Sequence, residues 1–554
     1  MINAKIVSSL EKIYTDDNLD SFDRLSRISV LRGERLNFQI AYGCDNATGK
    51  KIVDAVRIKP EISGDLADLA SLRSVQHVPV IMAMHPGGAD DNYSRTSSGL
   101  YPDVLRPMYY GGCFTFTPFA TNAVWVEINI PEDMIAGEHG FTISLDAAEY
   151  GSVSCELAIE VIDALLPKDD IYFTQWFHAD CLANYYNVEV FSDRHFEIIE
   201  NFIRTAKRNG INMILTPIFT PPLDTAVGGE RRTTQLVGVE KRDGVYSFDF
   251  SLLDRWIDML DRCGIKYIEF SHLFTQWGAK HAPKIVGRVN GEEKKLFGWQ
   301  TDAHGEEYVG FLRTFIPALL EHLEARGDSE RAFFHISDEP NETNEEDYTR
   351  SKEAVADLLQ GYTVMDALSD FSFYEKGVIE HPVTASDCIE PFLRANVKGL
   401  WTYYCVCQYK DVSNRYHSMP AYRNRSIGMQ MYKYNIAGFL HWGYNFYNNQ
   451  YSGDPINPYY EQSCDFAFPG GDAFSVYPNA DGTALESPRL AVFYEALEDV
   501  KAMKLAESLT SRSEVVCAIE DVFGEEITFA TCARSSPAML AIRQRVNEII
   551  KNNI

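Results

Sequence analysis

The stretch Arg331-Ala-Phe-Phe-His-Ile-Ser-Asp-Glu-Pro340 decides how the chain is read. Phe333, Phe334 and Ile336 form the short apolar run expected of a strand buried on both faces. Pro340 has no N–H to donate and ends the ladder. Asn341-Glu342-Thr343 then opens a helix predicted to reach about Gln360. Asp338 and Glu339 therefore stand side by side at the carboxyl end of a buried strand. In parallel α/β folds that rim carries ligands and chemistry. A plainer reading makes the two acids caps for the next helix, but the rest of the chain favours chemistry.

Working outward, strand runs occupy residues 171–177, 211–217, 266–271, 333–336, 362–368, 382–386, 399–404 and 436–444. Helical periodicity covers 194–208, 252–263 and 306–324. Residues 238–250 read as a hairpin insertion with Gly244 at its turn, and a Gly- and Trp-bearing loop follows the third strand to about Thr301. Eight strands with helices between most of them make a (β/α)8, TIM-like barrel the economical reading. Residues 447–478, rich in Asn, Tyr, Gly, Pro and Asp, form the kind of long loop that carries function. An amphipathic helix over 489–505 closes the barrel. Residues 514–554 form a C-terminal helical extension, clearest at 538–551.

Before the barrel the period changes to two. Residues 38–42, 123–130, 140–145 and 153–162 alternate apolar and polar, with 130–140 as a connection. Alternation with one wet face predicts a β-sandwich. Leu165-Leu-Pro-Lys-Asp-Asp170 reads as the linker. The expected division is a β-sandwich over 1–166 and a catalytic barrel with its C-terminal helices over 167–554.

The chain carries 51 basic and 79 acidic side chains, a formal charge of −28. Such a surface repels phosphate backbones and anionic lipid, so neither nucleic acid nor membrane is an expected partner. No long apolar segment predicts a signal peptide or a membrane span, and the expected location is cytoplasmic. The 11 cysteines are an odd number. Cys405-Val-Cys407 lacks the spacing of a zinc site, so reduced thiols are expected. No metal and no cofactor are implied.

The barrel rim collects the candidates. The first strand offers Trp176, Phe177, His178 and Asp180; the third His272 and Trp277; the fourth His335, Asp338 and Glu339; the fifth Asp366; the seventh Tyr403 and Tyr404; the eighth His441, Trp442, Tyr444 and Asn445. Aromatic faces stack on the C–H face of a pyranose while polar tips bind its hydroxyls. Trp176, His272, His335, Asp366, Tyr403, Tyr404, Trp442, Tyr444 and Asn445 are the expected substrate contacts, and a glycan or glycoside is the expected partner. Tyr403 and Tyr404 point to opposite sides of their strand, so at most one faces the interior.

His335-Ile-Ser-Asp-Glu-Pro340, Trp401-Thr-Tyr-Tyr404, His441-Trp-Gly-Tyr-Asn445, Asp472-Ala-Phe-Ser-Val-Tyr-Pro478 and Glu486-Ser-Pro-Arg489 together resemble glycoside hydrolase family 123. The resemblance spans the barrel, and the N-terminal part fits that family's sandwich domain. It implies a retaining β-N-acetylgalactosaminidase with a substrate-assisted mechanism. The family's Asp-Glu pair maps onto Asp338 and Glu339: Glu339 the general acid, Asp338 the group that orients the acetamide. A tyrosine among Tyr403, Tyr404 and Tyr444 would hold the acetamide oxygen. The physics is consistent. A protein nucleophile needs a second carboxyl about 5–5.5 Å away across the sugar, and alternating strand residues face opposite ways. Two alternatives remain open at this stage. One is a glycosidase pairing Glu339 with a distant carboxylate such as Asp180, Asp366 or Asp465. The other is a non-catalytic glycan-binding protein.

Overall fold

The computed structural model describes residues 1–44, 56–108, 111–117, 120–168 and 171–554. Its centre is a closed barrel of eight parallel strands: Tyr172–Gln175, Met213–Thr216, Tyr267–Phe270, Ala332–Phe334, Thr363–Leu368, His381–Ala385, Trp401–Tyr403 and Gly438–His441. The last closes on the first, with Gln175 beside His441. Each strand falls within or beside one of the eight predicted runs.

The amino end of the barrel is plugged. Tyr172 stacks on Trp401 with ring centroids 5.1 Å apart, and Tyr267 and Phe333 pack around them. Gly438 makes room for this plug, since a Cβ there would lie 2.3 Å from the Trp401 ring. The barrel can therefore open only at its carboxyl end.

Two excursions differ from expectation. The helix after Pro340 is shorter than predicted. Asn341 forms a capping box with Asn344, a 3-10 turn follows, and the α-helix covers only Glu345–Glu353 before turns take over. The long loop after the third strand contains a second hairpin, Ile285–Val289 with Glu292–Phe297. It joins the predicted hairpin, Gly238–Arg242 with Val245–Asp249, in one four-stranded sheet. Both turns use left-handed pairs, Asp243-Gly244 and Asn290-Gly291, which match the twist of the flanking strands.

The N-terminal part contains a five-stranded and a four-stranded sheet around an apolar core that includes Phe38, Ile40, Phe141 and Ile159. The wet face expected of the larger sheet is a correction to make. The strand Arg35–Cys44 is buried at every position but its last. Its polar side meets the helix Pro488–Leu509: Asn37 donates to Glu495 at 3.1 Å, while its side-chain oxygen accepts the indole N–H of Trp125 on the neighbouring strand at 3.1 Å. Alternation revealed the strand but could not reveal that its polar face is covered. Of the predicted linker, Asp169 and Asp170 lie outside the described residues.

The helix Pro488–Leu509 is likewise buried almost all round rather than half wet. Its polar stripe is consumed in ion pairs, Glu495 and Asp499 with Arg425, and Asp499 with Arg543 at 3.0 Å. The helices Arg512–Phe523 and Ser536–Asn553 complete the extension. The last one clamps the sandwich through Arg543 to Glu34 at 2.7 Å. Among the described residues no helix is long and apolar enough to cross a membrane.

Candidate active site

The fourth strand stops at Phe334, but the chain runs on beside the third strand's exit. Leu273 and Phe274 N–H groups donate to the carbonyls of His335 and Ile336, and Trp277 N–H to that of Asp338 at 3.1 Å. Glu339 then turns to φ 46°, a left-handed conformation that costs a non-glycine residue roughly 1–2 kcal/mol. Its N–H donates to the Ala367 carbonyl at 3.2 Å. This turn breaks strand alternation, so Asp338 and Glu339 both line one cleft. The expectation that neighbours face opposite ways fails here because the ladder has already ended.

Trp176, Tyr403 and Trp442 line the cleft with the acid pair, as do Leu223, Asp224, Gln276, Trp277, Cys405 and Phe468. The Tyr403 hydroxyl donates to Glu339 Oε1 at 2.7 Å. Burial raises both acidic pKa values; the charge of Glu339 adds to the rise at Asp338, and the Tyr403 hydroxyl opposes it at Glu339. Burial and like charge together make ionising both carboxyls at once costly. Trp442 is fixed by its indole N–H, which donates to Asp472 at 3.1 Å. Burial pushes Asp472 up to about 7.

Beneath the acid pair lies a buried charge network. His335 bonds Glu269 at 2.8 Å through Nε2 and Asp366 at 3.2 Å through Nδ1. Burial disfavours its charge, but those two bonds outweigh burial and raise it to about 10, so it is an imidazolium. Glu269 also accepts the Trp176 indole N–H at 2.7 Å, and Asp366 the Tyr348 hydroxyl at 2.5 Å and the Ile336 N–H at 3.1 Å. His272 stacks on His335, centroids 4.4 Å apart and planes 21° from parallel.

His272, His335 and Asp366 have donor atoms within 4.8 Å of one another, the spacing of a metal site. The chemistry does not fit one. Stacked rings send their lone pairs side by side rather than to one point, and both His335 nitrogens already face carboxylates.

The predicted contacts thus separate. Trp176, Tyr403 and Trp442 meet the acid pair in the cleft. His272, His335 and Asp366 form the floor's support and are outside the lining. Tyr404 turns outward to Asn424 at 2.8 Å, and Tyr444 to the Phe202 carbonyl at 2.8 Å. Asn445 pins the backbone of His178 through two bonds of 2.9 and 3.1 Å. The distant carboxylates also lie elsewhere: Asp180 is paired with buried Arg231, Asp366 with His335, and Asp465 is exposed. Asp224 is the lining carboxylate that strand-end reasoning missed, because it sits on a loop eight residues beyond its strand. Burial pushes it up to about 6, against the Tyr451 N–H.

The profile of the glycoside hydrolase 123 catalytic domain matches residues 176–506. A family 123 glycoside hydrolase from Clostridium perfringens, studied for glycolipid glycan hydrolysis, superposes with a TM-score of 0.72 at 15% identity, covering 100% of this chain and 98% of that one. A Bacteroides ovatus family 5 xyloglucanase scores 0.27 at 8% identity over 85% and 98% of the two chains, and a Thermobacillus composti family 10 xylanase 0.32 at 12% over 59% and 97%. These last two scores are too low to carry argument. No curated protein matches the chain. With a match over more than half its length that includes the acid pair at the barrel mouth, the chain belongs to glycoside hydrolase family 123.

Proposed function

We propose that the chain is a retaining, exo-acting β-N-acetylgalactosaminidase whose nucleophile is the 2-acetamido group of its own substrate. The observation that carries this reading is the acid pair in the lining of one cleft, with burial raising the pKa of both carboxyls. Glu339 gives its proton to the leaving oxygen while the acetamide oxygen attacks the anomeric carbon from the opposite face. The product of that step is an oxazolinium ion. Asp338 accepts the acetamide N–H, and the positive charge growing there draws the pair's negative charge onto Asp338. Glu339 then takes a proton from water, which opens the ring with net retention. The Tyr403 hydroxyl, the one candidate tyrosine in the cleft lining, aims Glu339. Trp176 and Trp442 offer faces to the sugar.

A second reading has one observation in its favour. Asp224 lines the same cleft and would serve as a protein nucleophile opposite Glu339 in a double-displacement glycosidase. Hydrolysis of nitrophenyl β-N-acetylgalactosaminide, β-N-acetylglucosaminide and β-galactoside separates the two. The acetamide mechanism expects turnover of the acetamido sugars, negligible turnover of the galactoside, and inhibition by a thiazoline analogue of the oxazolinium. Equal rates on the galactoside, with no thiazoline inhibition, would give the reaction to Asp224. Glycan binding with no turnover anywhere would contradict both.

A further inference from the structure

Trp442 is tethered to a chain of buried polar groups outside the cleft. It follows directly on the eighth barrel strand, Gly438–His441, and is half-buried. Phe446 and Phe468 pack on it edge to face, with centroids 5.0 and 5.1 Å away. The long loop after that strand returns to it at Asp472. Gly443 permits the return, since a Cβ there would lie 2.3 Å from the Ala473 carbonyl oxygen. Asp472 is fully buried, and its Oδ2 accepts the Trp442 indole N–H at 3.1 Å.

The other oxygen, Oδ1, lies 3.5 Å from His441 Nε2, and neither atom bonds any other described residue. The tautomer of His441 follows from its second nitrogen. Nδ1 meets the Arg415 guanidinium at 2.9 Å and the Gly443 N–H at 3.0 Å, and both of these can only donate. Burial, with the charges of Arg415 and Arg489, holds the His441 pKa well below its usual value, so the ring is neutral. Its one proton is therefore on Nε2, the nitrogen nearer Asp472. Arg415 also donates to the Gln175 side chain at 2.8 Å and to the Asp472 carbonyl at 2.7 Å, but among the described residues it bonds no carboxylate side chain. A buried cation thus reaches a buried anion through one imidazole.

Asp472 is offered two donors, one at each oxygen. A carboxylate accepts both. A carboxylic acid or an amide carries hydrogen on one side and must turn one donor away. His441 cannot give way by moving its proton, because Nδ1 is already taken by two donors. The loss falls on the indole. Arg415 and Arg489 favour the charge on Asp472, Asp224 opposes it, and burial outweighs the two cations. The phenols of Tyr404 and Tyr416 and the thiols of Cys405, Cys407 and Cys464 also face it.

We propose that Asp472 is a positioning residue: as a carboxylate backed by Arg415 through His441, it sets the plane in which Trp442 meets the sugar, and the hold on substrate depends on that charge. The assignment rests on Trp442 offering its face to the sugar in the proposed reaction.

The test joins kinetics to the indole signal. Both kcat and KM are measured on whichever nitrophenyl glycoside the enzyme turns over. The Trp442 indole N–H resonance, identified by its loss in Trp442→Phe, is followed by proton–nitrogen NMR from about pH 5 to about pH 8. Asp472→Asn should lower kcat/KM by about tenfold, chiefly through KM, and Trp442→Phe by a similar factor. Because one acts through the other, the double variant should be no worse than Trp442→Phe alone. The wild-type indole resonance should move with a midpoint of about 7, and stay still in Asp472→Asn. Below that midpoint wild type loses the carboxylate, so its KM should rise toward that of Asp472→Asn. Additive losses in the double variant, or an indole signal that titrates alike in wild type and Asp472→Asn, would overturn the proposal. Should wild type turn over none of the glycosides, the sugar reading has failed instead, and the indole comparison alone decides for Asp472. Should Asp472→Asn not fold, the wild-type signal decides: an inflection that Glu339→Gln shares supports the proposal, and no inflection overturns it.

Discussion

At the residue scale, the acid pair depends on a cation it does not touch. The His335 imidazolium lies under Asp338 and opposes the rise of its pKa, while Glu269 and Asp366 hold the ring from both sides. Replacing His335 with Gln removes the charge and leaves two buried carboxylates without a counter-ion. Losing one partner from such a cluster costs about 3–5 kcal/mol. His335→Gln should therefore unfold at lower urea concentration than wild type. Its kcat/KM profile should also shift: with the cation gone Asp338 ionises less readily, so the acidic limb moves to higher pH. A purely structural His335 would lower stability and leave that limb in place. The residues themselves were partly legible. Asp338 and Glu339 were readable because a strand must end at Pro340. His335 and Asp366 were readable as polar groups on buried strands, but not as support beneath the cleft, since direction off a strand end is a three-dimensional fact.

At the element scale, the barrel strands were legible where burial on both faces leaves continuous apolar runs, as in Met213–Thr216 and Gly438–His441. The hairpin over 285–297 carries Asn290-Gly291, a left-handed turn signal of the kind already read at Gly244. Its strands hid because Glu292, Glu293, Lys294 and Lys295 are all exposed and show no alternation of apolar and polar residues. The loops holding Asp224, Trp277 and Tyr451 have no period at all. Their shape comes from Asp224, which bonds Gln276 through its backbone N–H, Tyr451 through its carboxylate and Ser452 through its carbonyl, and nothing local announces that.

At the scale of the whole molecule, sandwich and barrel are joined through charge rather than apolar contact alone. Glu34, Arg35, Arg425, Glu495, Glu498, Asp499 and Arg543 are all buried where the two parts and the last helix meet. Glu498 accepts the Arg35 N–H at 3.0 Å. Burial first, and the charge of Glu34 second, push it from 4.5 up to about 8. The folded chain thus keeps a proton that the unfolded chain has lost across that interval. Stability must then fall as pH rises from the unfolded pKa through the folded one. Glu498→Gln lacks the group. The stability of wild type relative to Glu498→Gln, from urea denaturation, should decline between about pH 5 and pH 8 and level off above. A difference that stays constant with pH would show that Glu498 ionises as freely as in the unfolded chain. Alternation in the sandwich strands could not foretell this joint, because its polar side chains read as solvent-facing until their partners, hundreds of residues away, are in place.

The most direct measurement is the rate on nitrophenyl β-N-acetylgalactosaminides whose acetyl methyl carries zero, one, two or three fluorines. Fluorine leaves the sugar and the leaving group alone and weakens the acetamide oxygen as a nucleophile. If that oxygen attacks the anomeric carbon beside Asp338 and Glu339, kcat/KM falls at each step, by about a hundredfold or more across the series. A flat series would mean that the attack comes from the protein, and the account of the acid pair would be wrong.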